Sequence, residues 1–173
     1  MRSPLHTPRL TLRWPETSDA KALAAWINDW DVARQTGTVP HPYTAEHAAS
    51  WIANAPAARA AGEDYLYAVT RDGAVIGTVG LARRPSGDMA IGYMLARAAW
   101  GHGYMSEAVG AVMDEACDTL ALARCVADVY THNPASAAVL RKAGFQRTGT
   151  DESYSVARGE AAETDVFVWT SAQ

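Results

Sequence analysis

Two glycines, Gly101 and Gly103, stand one residue apart between a strand-like run and a helix-like run, and this spacing suits the binding of an anion. Glycine lacks the side chain that would block a ligand, and it adopts positive φ without strain. The start of a helix adds N–H groups that have no partner inside the helix, together with the positive end of the helix dipole. The residues therefore predict a turn whose backbone donates hydrogen bonds to a phosphate-bearing ligand. A tight turn without a ligand would have the same two glycines.

The sequence has no motif typical of a nucleoside triphosphatase or of a metal site. The glycine pair lacks the Gly-Lys-Ser/Thr ending with which a nucleoside triphosphatase reaches phosphates and magnesium, so that activity is disfavoured. His41 and His47 are not spaced like zinc ligands, and Cys117 and Cys125 are isolated. We therefore expect no metal ion, and we interpret both cysteines as buried thiols of a protein from a reducing compartment.

The composition is that of a globular domain. The chain has 173 residues, of which 49% are hydrophobic and 20% charged, and this length is enough for one domain with a sizeable core. Its 15 basic and 19 acidic residues give a net charge of -4, which argues against nucleic acid or an anionic membrane as the main partner. No apolar run reaches the length of a membrane span, and the first residues lack the hydrophobic segment of a secretion signal. We expect a single domain, 1–173, in the cytoplasm.

Sequence periodicity places the glycine pair after three strands. Residues 64–71 and 74–84 alternate like strands around Asp72-Gly73, the dipeptide that best supplies the two positive-φ residues of a hairpin turn. A further turn leads into a third strand over 89–97, which the glycines end. Ahead of these come, in order, a strand over 9–14, a helix from Thr17 to Ile27 and a second helical region through Trp51 and Ile52.

After the glycines the pattern is that of a strand–helix–strand unit. Apolar residues recur at three- and four-residue spacing from Met105 to Leu120, which predicts a helix packed on a sheet. The strand that follows, 124–130, must then lie parallel to its predecessor. Asn133 and Pro134 are typical of a helix start, and they open a short helix that runs to Lys142. Two closing strands, 145–150 and 164–170, are predicted with a polar loop over 151–163 between them.

In this order and spacing, the segments resemble the GNAT acetyltransferase superfamily, and in particular its branch similar to the N-terminal acetyltransferases of ribosomal proteins. The resemblance covers nearly the whole chain. It implies an α/β (α+β) fold with a mixed, mostly antiparallel seven-stranded sheet, a central parallel strand pair and helices on both faces. The segments that carry it are Thr7 to Arg13, Asp29 to Ala33, Ile91 to Leu95, Trp100 to Ala108, Asn133 to Ser136 and Lys142 to Phe145.

The resemblance also implies that the phosphate-bearing ligand is acetyl-coenzyme A. Backbone N–H groups from Trp100 to Met105 would hold the pyrophosphate, and the pantetheine arm would lie along Tyr93 to Arg97, where two parallel strands splay apart. Asn133 and Ser136 would face the thioester. The implied cofactor-binding residues are Met94, Leu95, Ala96, Arg97, Trp100, Gly101, His102, Gly103, Tyr104, Met105, Asn133 and Ser136.

Acetyl transfer to an amine requires a polarised carbonyl, a proton for the departing thiolate and a neutral amine. The backbone N–H of Met94 or Leu95 is the candidate for the first. Ser136 is the candidate catalytic residue for the second, because Leu140 replaces the tyrosine that many relatives have in the short helix; Ser136 would equally suit a purely capping role. Ala90 replaces the glutamate that many relatives use as a base. The remaining candidate bases, acting through water, are His41, Asp88, Asp151 and Glu152.

The missing glutamate bears on the choice of acceptor. At pH 7.4 an α-amine with a pKa near 8 is about one-fifth neutral, whereas a lysine near 10.4 is about one-thousandth neutral, a handicap of roughly 3 kcal/mol. A site without a strong base therefore suits the N-terminal α-amine of a protein or peptide. Small-molecule amines, such as an antibiotic or a polyamine, stay open as alternatives, and so does a degenerate module that binds acyl-coenzyme A without turnover. The chain is expected to be a monomer or a homodimer, and its candidate acceptor-binding residues are Trp30, Arg34, Tyr43 and Tyr93, with the loop 151–163.

Overall fold

A computed structural model describes residues 1–171 and places eight strands of that range in one sheet. In chain order they are β1 (Leu5–His6), β2 (Thr11–Arg13), β3 (Asp64–Arg71), β4 (Ala74–Arg83), β5 (Met89–Leu95), β6 (Arg124–Tyr130), β7 (Gln146–Ser155) and β8 (Glu160–Thr170). Across the sheet the order is β1-β2-β3-β4-β5-β6-β8-β7, and only β5 and β6 pair in parallel. The mixed, mostly antiparallel sheet with a central parallel pair is therefore confirmed. The last two residues of the predicted domain 1–173 lie outside the described range.

The sheet has one strand more than the seven predicted, because the chain reverses ahead of β2. The backbone N–H of Thr7 donates to the carbonyl of Leu10, and the Leu10 N–H donates to the Thr7 hydroxyl oxygen, both at 3.0 Å. This turn brings Leu5 opposite Leu12 and creates the edge strand β1. A strand of two residues is too short for alternation to reveal. The turn over residues 7–10 also overlaps the start of the strand predicted over 9–14, so that β2 begins only at Thr11.

Five helices are found within residues 1–171, and three of them begin at a side-chain cap. The side chain of Thr44 accepts a hydrogen bond from the His47 N–H, and that of Asn133 accepts one from the Ser136 N–H. A single turn of 3-10 helix precedes the first helix, and another, Arg97–Ala99, follows β5. The helices are α1 (Ala20–Ile27), α2 (Trp30–Ala33), α3 (Ala45–Ala60), α4 (Tyr104–Leu120) and α5 (Pro134–Lys142).

The hairpin predicted at Asp72-Gly73 is confirmed. Asp72 and Gly73 have φ of 51° and 81°, as the two-residue turn requires, and they join β3 to β4 with Arg71 opposite Ala74. This hairpin leads directly into β5, so that β3, β4 and β5 are consecutive antiparallel neighbours.

The predicted loop 151–163 is wrong, because most of it belongs to a second hairpin. β7 continues to Ser155 and β8 begins at Glu160, so only Val156–Gly159 form the turn. β7 is the last strand of the sheet, and most of its side chains are exposed on both faces. An edge strand that is exposed on both faces needs no apolar side chains, so the composition of β7 is polar. In the sequence, a polar stretch of this kind cannot be distinguished from a loop.

Helices cover both faces of the sheet. On one face, α4 and α5 pack over strand residues such as Val69, Val79 and Ile91. On the other, α1 and α3 form a second apolar cluster that includes Met94 of β5. Cys125 is buried as expected, whereas Cys117 is only half-buried. None of the helices described for residues 1–171 is long and apolar enough to cross a membrane.

Candidate active site

The two glycines form a bend with unused backbone donors. Gly101 and Gly103 have φ of 79° and 77°, and this bend joins the 3-10 turn after β5 to α4. Within residues 1–171, no group accepts a hydrogen bond from the backbone N–H of Gly101, His102 or Gly103, and the first bond of the following helix runs from the Glu107 N–H to the Gly103 carbonyl. We call residues 101–106 the anion bend, because its donors converge on one helix N-terminus and suit a phosphate group.

Trp100 lies at the start of the bend without adding a backbone donor. Its N–H already donates to the Arg97 carbonyl at 3.1 Å, and its indole N–H donates to the Leu95 carbonyl at 2.8 Å. The ring is 41% exposed beside the end of β5. The stretch expected to hold the pyrophosphate runs from Trp100 to Met105. Within it, the free backbone N–H groups belong to residues after Trp100, and Trp100 itself presents an exposed apolar surface.

Arg9 and Thr7 of the N-terminal segment support the bend through contacts that no sequence motif indicates. The Arg9 guanidinium donates to Glu107 Oε2 at 2.7 Å and to the His102 carbonyl at 2.9 Å, and Thr7 donates to Glu107 Oε1 at 2.6 Å. Burial acts to raise the pKa of Glu107, but the hydrogen bonds from Thr7 and Arg9 outweigh it and lower the pKa. Glu107 is thus an ionised structural residue that fixes the first turn of α4.

A gap opens beside the bend, between β5 and β6. The two strands pair only at Met89 with Cys125 and Ala90 with Val126, so the rest of β5 has no partner on its β6 side. The Ala96 N–H donates to Ile76 at 2.8 Å, next to β4. Because backbone groups alternate along a strand, the N–H groups of Tyr93 and Leu95 point away from β4 and into the gap. Of the two residues expected to polarise the thioester carbonyl, Leu95 therefore presents its N–H to the gap and Met94 does not.

Tyr93, Ser136 and Asn133 meet at one wall of this gap. The Tyr93 hydroxyl lies 2.8 Å from Ser136 Oγ and 3.1 Å from the Ser136 carbonyl. Asn133 Oδ1 accepts a hydrogen bond from the Ser136 N–H at 3.1 Å, so Asn133 is the cap that orients the first turn of α5. Burial raises the pKa of Tyr93 to about 12 despite its hydrogen bond with Ser136, so Tyr93 is protonated at neutral pH. The cluster can therefore act as a proton donor.

The opposite face of the gap carries a carboxylate that sequence reasoning missed. Asp128 and Tyr130 point to the face of α1 and α3, because Val129 between them packs with α4 and α5. Asp128 lies two residues beyond Val126, the last residue of β6 that pairs with β5, and its partner there, Ala90, is the alanine that replaces the family's glutamate. Asp128 Oδ2 accepts from Arg84 at 2.6 Å.

The candidate bases named from sequence are not gathered at the gap. Asp88 precedes β5 at the closed end of the gap and bonds to Arg124 at 3.2 Å. Asp151 and Glu152 are exposed on the edge strand β7. His41 lies against Trp30 with 5.2 Å between ring centroids.

The predicted acceptor-binding residues are divided between surface and core. Trp30 is 45% exposed, whereas Tyr43 is 7% exposed and belongs to the apolar cluster under α1 and α3. Arg34 donates to Asp31 at 3.0 Å, and Arg97, expected beside the cofactor, lies 3.1 Å from the same carboxylate. Tyr93 lies with the cofactor-side residues through its contact with Ser136. No group of three or more metal-binding side chains occurs in the part of the chain that the structure describes.

The chain is similar in sequence and fold to known proteins. The sequence matches the acetyltransferase (GNAT) domain over residues 9–146. It is 30% identical over 166 residues to the uncharacterized N-acetyltransferase p20 of Bacillus licheniformis, covering 94% of this chain and 93% of the relative. The crystal structure of a ribosomal-protein-S5-alanine acetyltransferase from Vibrio fischeri superposes with a TM-score of 0.84 at 22% identity, covering 98% of this chain and 97% of the other. RimL, a ribosomal L7/L12 α-N-protein acetyltransferase solved with coenzyme A, superposes with a TM-score of 0.83 at 21% identity, covering 95% of both chains.

Proposed function

The chain belongs to the GNAT acetyltransferase family, and we propose that it transfers the acetyl group of acetyl-coenzyme A to the N-terminal α-amine of a protein or peptide. The observation that carries the proposal is the anion bend lying directly beside the gap between β5 and β6. A diphosphate on the bend and an extended arm in the gap are the two parts of a coenzyme A thioester. The α-amine is favoured by the absence of the family's glutamate and by what RimL, a structural neighbour, acts on.

The residues on the cofactor side fit a coenzyme A thioester. The bend offers at least three N–H groups with no acceptor among residues 1–171, and a methyl group added at Gly101 would meet nothing within 4 Å. The backbone of β5 that faces the gap, at Tyr93 and Leu95, would hydrogen-bond the extended arm and its thioester as a neighbouring strand does. The Leu95 N–H is then the donor that stabilises negative charge on the thioester oxygen during attack.

The protons move on the two faces of the gap. As the amine nitrogen bonds to the thioester carbon and the carbon–sulfur bond breaks, the thiolate takes a proton from the Ser136 hydroxyl. Solvent returns a proton to the serine oxygen, and takes the one held by the base, once the products have left. Tyr93 holds that hydroxyl in place through the 2.8 Å hydrogen bond between the two oxygens. In the reactive arrangement the tyrosine is the donor of this bond, so that the serine proton is free for the sulfur. The proton lost from the amine goes to Asp128, directly or through one water. Catalysis therefore rests on Ser136 and Asp128, with Tyr93 as a positioning residue.

The proposal is tested by following free thiol with acetyl-coenzyme A and a panel of acceptors. The panel contains peptides with a free N-terminus, the same peptides with a blocked N-terminus and an internal lysine, and polyamine and aminoglycoside amines. We expect thiol release with free N-terminal peptides, and acetylation of the α-amine by mass spectrometry. Turnover of the small amines alone would contradict a peptide acceptor and would show that the substrate is a small-molecule amine.

A second candidate function is a regulatory module that binds acyl-coenzyme A without turnover. It is favoured by Ala90, which removes the carboxylate that many family members use. Calorimetry with acetyl-coenzyme A separates the two functions when it is run beside the thiol assay. Tight binding with no thiol release on any acceptor would support the module and contradict the enzyme.

A further inference from the structure

Buried polar groups without partners are concentrated at one place on the acceptor side. In the described range, six buried side-chain nitrogen or oxygen atoms have no hydrogen-bond partner, and four of them are Arg158 Nε, Arg158 Nη2, the Tyr130 hydroxyl and Thr164 Oγ1. Thr164 is the pairing partner of Tyr130 across β6 and β8, and the Arg158 guanidinium carbon lies 4.4 Å from the centre of the Tyr130 ring. Because buried polar groups are almost always bonded, such a cluster indicates a missing partner.

Arg158 is the charged member of this cluster, and its charge is poorly matched. The side chain is 12% exposed, and the nearest carboxylate oxygen, Glu160 Oε1, lies 3.8 Å from Nε, beyond hydrogen-bond distance. Its Nη1 lies 3.2 Å from Nε2 of the exposed His132 ring. Burial lowers the pKa of His132, and the charges of Arg158 and Arg34 lower it further. The neutral ring is therefore favoured, and it does not compensate the charge of Arg158. A buried guanidinium without a bonded anion is costly unless a ligand completes it.

The cluster adjoins the reaction gap. Tyr130 follows Asp128 on the same face of β6, and Asn133, which caps the helix carrying Ser136, comes directly after His132. A methyl group added at Gly37, after α2, would lie 3.9 Å from the Tyr130 hydroxyl. The hairpin turn is tied to that segment, because the Val156 N–H donates to the Gly37 carbonyl at 2.9 Å. The cluster therefore stands where an acceptor approaching Asp128 would place the group next to its amine.

We propose that the acceptor carries a carboxylate close to its amine and that Arg158 binds this carboxylate, with the Tyr130 hydroxyl as a second donor. The inference rests on the proposed acetyltransferase function and names its substrate class. A planar guanidinium with two free donors matches a carboxylate in a bidentate arrangement. The carboxylate enters beside the exposed His132 and reaches the free donors of the guanidinium as that ring moves aside. In a peptide acceptor the carboxylate is an acidic second side chain, and in a free amino acid it is the α-carboxylate.

The test compares isosteric acceptors. Amidated peptides beginning Ala-Asp and Ala-Glu are matched with Ala-Asn and Ala-Gln, and free amino acids form a separate arm. We expect the acidic peptides to exceed their amides by about 10-fold to 100-fold in kcat/KM, the range for one hydrogen bond to a charged group. Arg158→Gln abolishes the preference and leaves the rate with the amides within about twofold, while Arg158→Lys retains part of it. Arg147→Gln, on the same hairpin and paired with Asp165, is the control and keeps the full preference.

Calorimetry of the same peptides with the enzyme bound to coenzyme A provides a readout independent of turnover. Tighter binding of the acidic peptide that Arg158→Gln removes supports the inference, even if no acceptor is acetylated and the proposed function fails. Equal binding and equal rates for acids and amides overturn it, even if every peptide is acetylated. An equal loss for both peptide classes in Arg158→Gln assigns Arg158 a structural role and also overturns it. Acetylation of free amino acids alone would support a carboxylate beside the amine, but it would contradict the proposal that the acceptor is a peptide.

Discussion

Ser136 and Tyr93 are proposed to act together as one proton donor. We expect Ser136→Ala to lower kcat about 100-fold, at the lower end of what a general acid contributes, with little change in the affinity for acetyl-coenzyme A. Tyr93→Phe removes the hydroxyl 2.8 Å from Ser136 Oγ and lowers kcat less. Because Tyr93 acts through Ser136, the double variant should be no slower than Ser136→Ala alone. Thiol release at saturating peptide measures all three, and additive losses would contradict this coupling.

Asp128 provides the second prediction at this scale. Asp128→Asn should lower kcat about 100-fold at pH 7, and the loss should shrink above about pH 8, because the α-amine then loses its proton without help. Asp165→Asn is a matched control, since Asp165 also accepts from an arginine at 2.6 Å and lies on the neighbouring strand β8. A loss for Asp128→Asn that stays constant with pH would indicate a structural role instead.

At the scale of elements, the bend and the turn of the first hairpin offer a matched pair of glycines. Gly103 and Gly73 have φ of 77° and 81°, so valine at either position costs about 1–3 kcal/mol of backbone strain. Only Gly103→Val also intrudes on the anion bend, where its side chain would begin 3.7 Å from Arg9. We expect Gly103→Val to weaken acetyl-coenzyme A binding at least about 10-fold by calorimetry, and Gly73→Val to leave it unchanged. Equal affinities for acetyl-coenzyme A in the two variants would contradict the assignment of the phosphate to this bend.

The same elements explain how far the sequence predicts this molecule. Local chemistry was sufficient for the Asp72-Gly73 turn, for the glycine bend and for the α5 cap at Asn133, since each depends on a few adjacent residues. The hairpin of β7 and β8 was missed because an edge strand without an apolar face has no alternation to read. The roles of Arg9, Asp128 and Arg158 depend on contacts between distant segments. Sequence analysis places Tyr93 among the acceptor-binding residues, whereas the structure brings its hydroxyl to Ser136. This contact joins β5 to α5 across the gap, and no pattern in a single sequence indicates it.

For the molecule as a whole, three carboxylates fasten the N-terminal segment to the rest of the fold. Glu115, Glu107 and Asp19 accept hydrogen bonds from Arg2, Arg9 and Arg13 respectively. Hydrogen bonding from Arg2 lowers the pKa of Glu115. Burial acts to raise the pKa of Glu107 and of Asp19, but hydrogen bonds outweigh it, so these pKa values are also lowered. Since Arg9 contacts the His102 carbonyl, this fastening also sets the shape of the anion bend.

Stability should therefore fall in acid. A carboxylate whose pKa is lower in the folded state stabilises the fold fully above its unfolded pKa of about 4, and the contribution is lost as the pH falls through the folded value. Glu115→Gln should lower the free energy of unfolding at pH 7 by about 1–2 kcal/mol, because it removes a hydrogen-bonded charge that is 2% exposed. The difference from wild type should shrink between about pH 4 and pH 2.5 in urea unfolding, as protonation removes the same charge from the wild type. Glu160→Gln, at an exposed carboxylate, serves as the control. Parallel stability curves for wild type and Glu115→Gln across this range would show that Glu115 does not fasten the segment as an ion.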